Sequence, residues 1–164
     1  MSGKGGGALK RKLLCLLLAG TALLCGCARG ETAQEGTMRV TFFQAGAADA
    51  ILIQTPQSAV LIDAGLRGDG DELVASLREK GVERLDALVI THYDKDHVGG
   101  ADKILESVSV SRVVMPQYAK ESKQYTQFKD ALSQSPQTRV EILPAGSEWS
   151  ADFGETHLRV TAAE

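Results

Sequence analysis

Cysteine is scarce in this chain and is confined to its first 27 residues. The 164-residue sequence contains three cysteines, Cys15, Cys25 and Cys27, and none follows them. The body of the chain therefore has no disulfide framework and no candidate cysteine nucleophile. A serine nucleophile on a G-x-S-x-G turn is not supported either, because that motif is missing from the sequence.

Aromatic residues are also few, and basic residues are a minority outside the N-terminus. Aromatic residues make up 5% of the chain against 43% hydrophobic residues, so we expect one domain with an aliphatic core. Four of the 18 basic residues precede position 13, which leaves 14 against 21 acidic residues, a formal net charge of −7. An acidic body gives no support to nucleic acid as a partner, since a broad nucleic-acid footprint needs a basic face.

The first 27 residues have the organisation of an export signal. A basic cluster precedes the apolar run Leu13 to Leu24, which at 12 residues is shorter than the roughly 20 needed to span a bilayer. The following "LCGC" resembles a bacterial lipobox, which implies cleavage before Cys27 and attachment of lipid to its sulfur. We therefore predict a signal peptide at 1–26 and a lipidated Cys27 that begins a flexible tether at 27–37. An uncleaved, short N-terminal anchor is the alternative, and it also implies export.

Alternating strands and helices predict an α/β fold over residues 38–164. Apolar runs bounded by turn residues predict strands at 38–43, 49–55, 58–65, 85–92, 111–116, 138–143 and 156–162. Helices are predicted between Asp69 and Gly81, over 101–108, and around Tyr125 to Leu132. The run Ala59 to Ile62 is apolar without interruption and should be buried on both faces of a sheet.

The segment "THYDKDHVGG", residues 91–100, follows one of these strands and contains four candidate metal ligands: His92, Asp94, Asp96 and His97. Asp63 stands in the same place after an earlier strand, and functional groups gather beyond the carboxyl ends of strands in open α/β sheets. Imidazole nitrogens and carboxylate oxygens together suit zinc, manganese or iron. Gly99 and Gly100 would let the backbone bend closely before the next helix.

Other interpretations of these residues are weaker. An EF-hand loop that begins at Asp94 would need an oxygen ligand at position five and Glu at position twelve, where Val98 and Leu105 stand. A solvated charged loop is the simplest alternative for the whole segment. For Asp63, the alternative is a turn former before Gly65.

The loop resembles the H-x-H-x-D-H signature of the metallo-β-lactamase superfamily, with Asp94 in place of the second histidine. The form H-x-D-x-D-H-x-G-G behind a strand that ends in "LIDAG" is similar to the branch found at the C-terminus of competence-type DNA-uptake channel proteins. In the "G-Q-G-D-A" turn of that branch, Asp49 and Ala50 match, whereas Ala47 and Ala48 depart from the Gln-Gly pair. The similarity runs from about 38 to 114 and is weaker beyond.

The resemblance implies a metallo-β-lactamase-like αββα sandwich that binds two zinc ions, with manganese as an alternative. By position, His92 and Asp94 would hold the first ion, and Asp96 and His97 the second. Asp96 would also orient the attacking water as the catalytic residue. Asp63 and Asp49 would support the ligands from behind, although Asp49 is equally well explained as a turn before a strand. His157 is expected to be a surface residue.

The second half of that fold normally supplies a bridging aspartate and further histidines, and no later stretch of this sequence offers them. The chain is therefore expected to represent the first half with part of the crossover, from a truncated gene or a longer protein. The function that this resemblance implies is an exported metal-dependent hydrolase, anchored by lipid on Cys27 to the outer face of the cytoplasmic membrane or, in a Gram-negative cell, to the outer membrane. Its expected substrates are phosphodiester-type or other small molecules. The alternatives are β-lactam or thioester hydrolysis, and an inactive metal-binding half-domain.

Overall fold

The computed structural model describes residues 36–43, 49–154 and 156–163. The predicted signal peptide, Cys27 and the tether as far as residue 35 lie outside the described residues. Within those three ranges, no helix has the length and apolar character needed to cross a membrane.

A six-stranded mixed sheet forms the centre of the described chain. Its strands are β1 (Arg39–Phe42), β2 (Ile51–Gln54), β3 (Ala59–Ile62), β5 (Ala87–Val89), β7 (Arg112–Pro116) and β8 (Arg139–Leu143). They follow the order β1-β2-β3-β5-β7-β8, antiparallel as far as β3 and parallel from β3 to β8. The short strands β4 (Arg84–Leu85) and β6 (Ser109–Val110) pair separately in parallel. The parallel half places the ends of β3, β5 and β7 at one edge of the sheet.

Three helices cover one face of this sheet. They are α1 (Gly70–Glu79), α2 (Ala101–Ser107) and α3 (Lys123–Ser133), and each links one parallel strand to the next along the chain. Their apolar sides pack on the sheet in one core cluster that includes Leu77, Ile104 and Phe128. Fully burying an apolar side chain of this kind stabilises the fold by about 1.5–3 kcal/mol.

A hairpin packs on the opposite face. It consists of β9 (Glu148–Phe153) and β10 (Thr156–Thr161), which pair antiparallel. Its inward side chains form a second cluster with Val60, Val89 and Val114 of the sheet. The continuous burial predicted for β3 follows from these two layers, because Leu61 faces the helices whereas Val60 faces the hairpin. The hairpin covers the β3 to β8 side, and Phe42 of β1 is 74% exposed.

The predicted elements agree with the structure except in three places, one of which is the short strand β6, which was not predicted. The prediction of one strand over 85–92 was wrong, because Asp86 interrupts it: its carboxylate accepts a hydrogen bond from the backbone N–H of Ala59 at 3.0 Å and separates β4 from β5. Strand β9 was not predicted at all. Its alternating apolar residues are the signal that could have revealed it: Trp149, Ala151 and Phe153.

Candidate metal centre

The candidate site lies where two parallel strands end side by side. Ile62 of β3 pairs with Val89 of β5, so the residues that follow both strands emerge at the same edge of the sheet. Asp63 follows β3 directly, and the segment 90–100 follows β5. This juxtaposition of chain positions about 30 residues apart is the consequence of parallel pairing expected for open α/β sheets.

Asp63 forms the buried base of the site. Its backbone has a φ of 58°, a conformation that costs a non-glycine residue about 1–3 kcal/mol and persists only where surrounding contacts hold it. Those contacts are present: the Asp63 N–H donates to the carbonyl of Val89 at 2.8 Å. Its Oδ1 accepts from the backbone N–H of Thr91 at 2.8 Å, and its Oδ2 accepts from the Thr91 hydroxyl at 2.7 Å. Asp63 thus connects the two strand ends and does more than form a turn.

The same carboxylate orients His97. Nδ1 of His97 lies 2.8 Å from Oδ2 of Asp63, and because a carboxylate can only accept, Nδ1 carries the proton. In a neutral imidazole the lone pair therefore resides on Nε2, which lies on the open side of the site, 3.7 Å from Oδ2 of Asp49 and 3.8 Å from Oδ2 of Asp96. A histidine held at one nitrogen by a carboxylate is arranged to bind a metal ion through the other.

Thr91 extends this control to His92. The Thr91 hydroxyl donates its only hydrogen to Asp63, so toward Nδ1 of His92, 3.0 Å away, it can act only as an acceptor. Nδ1 of His92 consequently carries the proton, and its Nε2, 3.7 Å from Oδ2 of Asp94, keeps its lone pair. The two imidazole rings lie 3.8 Å apart between centroids. One buried carboxylate therefore sets the tautomer of both histidines.

Asp94 contacts Lys120, which the sequence analysis did not select as a candidate site residue. The ammonium of Lys120 donates a hydrogen bond to Oδ1 of Asp94. This hydrogen bond lowers the pKa of the Asp94 carboxyl from its usual value and raises the pKa of Lys120. Half of the Asp94 side chain is exposed, as is 39% of Lys120, so solvent screens the pair.

Asp96 and Asp49 lie together on the open side of His97. The Asp49 N–H donates to the carbonyl of Asp96 at 3.1 Å, and the Gly65 N–H donates to the carbonyl of Asp49 at 3.0 Å. Side-chain exposure is 36% for Asp96 and 67% for Asp49. Of the two residues predicted to support the ligands from behind, Asp63 contacts Nδ1 of His97, whereas Asp49 lies on the side of Nε2.

Tyr93 anchors the loop between its two histidines. It is fully buried, and its ring packs against Tyr118 and Tyr125 with centroids 4.6 Å away in each case. Its hydroxyl donates to the carbonyl of Pro116 at 2.7 Å, and its N–H donates to the hydroxyl of Tyr118 at 2.9 Å. Burial raises the pKa of the Tyr93 phenol well above its usual value. The side chains on either side of Tyr93 are thereby held at the edge of the sheet.

Gly99 and Gly100 allow the loop to lie against the chain that follows β3. A Cβ atom on Gly99 would lie 2.2 Å from the carbonyl oxygen of Lys95 and 2.6 Å from the backbone nitrogen of Arg67. A Cβ on Gly100 would lie 2.4 Å from the carbonyl oxygen of Ala64. The close backbone approach predicted for both glycines is therefore confirmed.

The donor atoms are of the types that bind a divalent metal ion, but too few of them are grouped to hold one ion. Both histidines present a free Nε2 to carboxylate oxygens, which suits zinc or a harder divalent ion. In the part of the chain that the structure describes, no three His, Cys, Asp or Glu side chains form a group arranged to hold one ion. His157 is remote from this set: its exposed ring pairs with Asp152 on the hairpin at 2.6 Å, as expected of a surface residue.

Comparison with known proteins identifies the family to which this site belongs. The family model described as the metallo-beta-lactamase superfamily matches residues 44–161. Competence protein ComA of Neisseria gonorrhoeae is 38% identical over 86 residues, which are 52% of this chain and 12% of that protein. ComE operon protein 3 of Bacillus subtilis (strain 168) is 46% identical over 44 residues, 27% of this chain and 6% of that protein. These relatives confirm the resemblance to the competence-type branch, and the chain spans only a small part of their length.

The fold has a counterpart among solved structures. The structure described as the peroxy diiron species of chemotaxis sensor ODP matches with a TM-score of 0.55 at 17% sequence identity. The match covers 77% of this chain and 49% of the other. Together with the family match, it confirms the α/β metallo-β-lactamase-like fold, and the chain spans about half the length of this structural neighbour.

Proposed function

Because this chain belongs to the metallo-β-lactamase superfamily, we propose that it acts as an exported metal-dependent hydrolase on phosphodiester-type substrates. The observation that carries the proposal is the hydrogen-bond chain from Asp63 through Thr91 to His92, together with the direct bond to His97. It commits both imidazoles to the tautomer with a free Nε2, which a surface loop has no need to do.

The ligands divide into two pairs. His92 and Asp94 would hold one ion, and His97 and Asp96 the other, with Asp49 as a further oxygen donor beside Nε2 of His97. We propose zinc, with manganese as the alternative because the carboxylate share is high. When bound, such ions supply Lewis-acid stabilisation of developing negative charge.

Asp96 is the proposed catalytic residue. Its carboxylate lies beside His97 and is exposed enough to contact solvent, so it can accept a hydrogen bond from the attacking water and orient it. Asp63 cannot take this role, because its two oxygens are occupied by Thr91 and His97 and it is buried. Removing a general base typically lowers turnover by about 100-fold or more.

Phosphodiesters are favoured over the other substrates of the family by the first ligand pair. Two ions side by side suit an in-line displacement at phosphorus. The β-lactamase pattern has three histidines at the first ion, whereas Asp94 takes the place of one of them here. We also propose that the protein is anchored to a membrane by lipid on Cys27. The "LCGC" motif supports this proposal.

The second candidate is a metal-binding half-domain without activity. It is favoured by one observation, that no three donor side chains of the described residues are grouped around one point. Catalytic zinc sites usually have three protein ligands and a water, whereas the pair His92 and Asp94 supplies two and only the second pair has Asp49 as a further donor. The two candidates make the same prediction for metal binding and differ in turnover.

The test combines metal titration with a panel of substrates. Zn²⁺ or Mn²⁺ is titrated into the full chain in detergent, with His97→Ala compared with His157→Ala as the matched histidine control. Only His97→Ala should weaken binding. A chromogenic phosphodiester, a β-lactam and a thioester are then assayed with wild type and Asp96→Ala. Phosphodiester turnover that Asp96→Ala abolishes supports the first candidate, turnover of the β-lactam or thioester alone would refute it, and metal binding without turnover supports the second.

A further inference from the structure

Lys120 reaches the candidate metal centre from a segment that is fixed at both ends. Residues 117–122 connect β7 to α3, and the Gln117 N–H donates to the carbonyl of Leu143 at 2.8 Å. The Tyr118 hydroxyl accepts from the backbone of Tyr93, and Ser122 caps α3 by accepting from the Tyr125 N–H at 3.2 Å. The backbone between these points holds Lys120 beside the loop, while its own side chain remains 39% exposed.

The ammonium of Lys120 occupies a place that suits a cation. It contacts Oδ1 of Asp94, and the negative charges of Asp94 and Asp96 both act on it. Oδ2 of Asp94 faces Nε2 of His92 at 3.7 Å. A lysine ammonium and a divalent ion are both attracted to anionic oxygen, so the carboxylate that would bind a metal is the one that Lys120 already neutralises.

We propose that Lys120 is an internal cation that competes with the metal ion for Asp94. The ammonium neutralises Asp94 when no ion is bound and moves out into solvent when an ion binds. The inference rests on the proposed assignment of His92 and Asp94 as metal ligands. Displacement is easy because the lysine stem is flexible and an exposed ion pair is weak, so a divalent ion outcompetes it. Lys120 therefore weakens metal binding without preventing it.

The first test measures Mn²⁺ affinity of the full chain by calorimetric titration. Lys120→Met should bind Mn²⁺ about three- to fivefold more tightly than wild type, which is the size of an exposed ion pair. Lys120→Arg keeps the charge and should bind as wild type does. Lys123→Met, which removes an exposed lysine at the start of α3, is the matched control and should also leave the affinity unchanged. The difference in Mn²⁺ affinity between Lys120→Met and wild type should narrow at high salt, because salt screens the ion pair between Lys120 and Asp94.

The second test follows the lysine itself by acetylation and peptide mass spectrometry. Lys120 should be acetylated faster with saturating Mn²⁺ than without it, and faster in Asp94→Asn than in wild type without metal. Lys123 should react at one rate throughout. Equal or weaker Mn²⁺ binding by Lys120→Met, or a Lys120 acetylation rate that ignores Mn²⁺, would refute the competition alone. No Mn²⁺ binding by any variant would refute the proposed metal site and this inference with it.

Discussion

Oδ2 of Asp63 accepts a hydrogen bond from Nδ1 of His97 at 2.8 Å, although 34 positions separate the two residues in the chain. The bond joins the end of β3 to the loop after β5, and the Thr91 hydroxyl donates to the same oxygen. The geometry of the metal loop therefore depends on a buried residue that would contact neither metal nor substrate.

Replacing Asp63 should separate metal affinity from stability. Asparagine tolerates the positive φ of Asp63, but any orientation of its amide places an NH₂ group against one of the donors that Asp63 now accepts from. We expect Asp63→Asn to lower the free energy of unfolding by about 1–3 kcal/mol. Metal affinity should fall about 10- to 100-fold, the usual cost of losing such a support. Urea unfolding and metal titration measure the two effects.

Asp86 provides the matched control for this prediction. It also accepts a hydrogen bond from a strand backbone, that of Ala59, at the opposite end of β3. Its other oxygen pairs with Arg84 at 3.0 Å, so Asp86→Asn places an NH₂ group against one of the two donors and should lose stability while it retains metal affinity. A comparable loss of affinity in both variants would mean that Asp63 acts on the site through general destabilisation.

Gly99→Ala should destabilise the fold through the loop. The added Cβ would meet the Lys95 carbonyl oxygen and the Arg67 nitrogen, which are backbone atoms and cannot rotate away. We expect a loss of about 2 kcal/mol or more in the free energy of unfolding. Gly68→Ala is the control, because a Cβ there meets nothing within 4 Å and should leave stability nearly unchanged. Equal unfolding midpoints for the two variants would contradict the close packing of the loop.

Tyr93 should make stability fall at alkaline pH. Burial raises the pKa of its phenol in the folded state. Once the pH passes the usual tyrosine pKa of about 10, Tyr93 therefore ionises in the unfolded chain but not in the folded one. The stabilisation is thus complete below that pH and declines as the pH rises above it. Tyr93→Phe should show a shallower decline, as well as a loss of about 1 kcal/mol at neutral pH from the missing hydrogen bond to Pro116.

Chemical denaturation across this pH range checks the Tyr93 prediction. Wild type and Tyr93→Phe are compared at the same pH values, so that any alkaline decline in stability that both share is assigned to other groups. If Tyr93→Phe and wild type declined in parallel, another group would have to account for the alkaline effect.

As a proposed ligand, Asp94 should shift the metal preference toward manganese. A carboxylate is harder than an imidazole, so Asp94→His should favour zinc over manganese relative to wild type. Competition titrations with both ions give the selectivity ratio. Lys120→Met separates the contribution of the lysine, because it should tighten both ions while it leaves the ratio nearly unchanged. The same ratio of zinc to manganese affinity in Asp94→His and wild type would contradict the expected effect of ligand hardness.

Lipid attachment should depend on Cys27. The "LCGC" segment places this cysteine directly after the proposed cleavage point. Expression in bacteria with labelled palmitate should mark wild type and leave Cys27→Ala unlabelled. Cys25→Ala is the control and should keep the label, since that residue would leave with the signal peptide. Label on Cys27→Ala equal to that on wild type would refute Cys27 as the lipid site.

Local patterns in the sequence were enough to predict most of the strands and helices and to identify the four candidate ligands. Apolar runs such as Ala59 to Ile62 predicted the central strands, because burial on two faces demands them. The four candidate ligands fall within one loop, so their proximity required no tertiary knowledge. Strand β9 escaped prediction even though Trp149, Ala151 and Phe153 alternate, because a short half-buried strand gives a weak signal.

Only the tertiary structure decided how these groups face one another. Parallel pairing of β3 with β5 brings Asp63 to His97, and the single hydrogen of Thr91 then determines the tautomer of His92. Asp49 was predicted to support the candidate ligands from behind, and the structure places its Oδ2 3.7 Å from Nε2 of His97. Lys120 is 26 positions from Asp94 and stands in a segment with no motif. Such contacts depend on the register of the paired strands and on the path of a loop between its two fixed ends. Neither can be deduced from the spacing of residues along the chain.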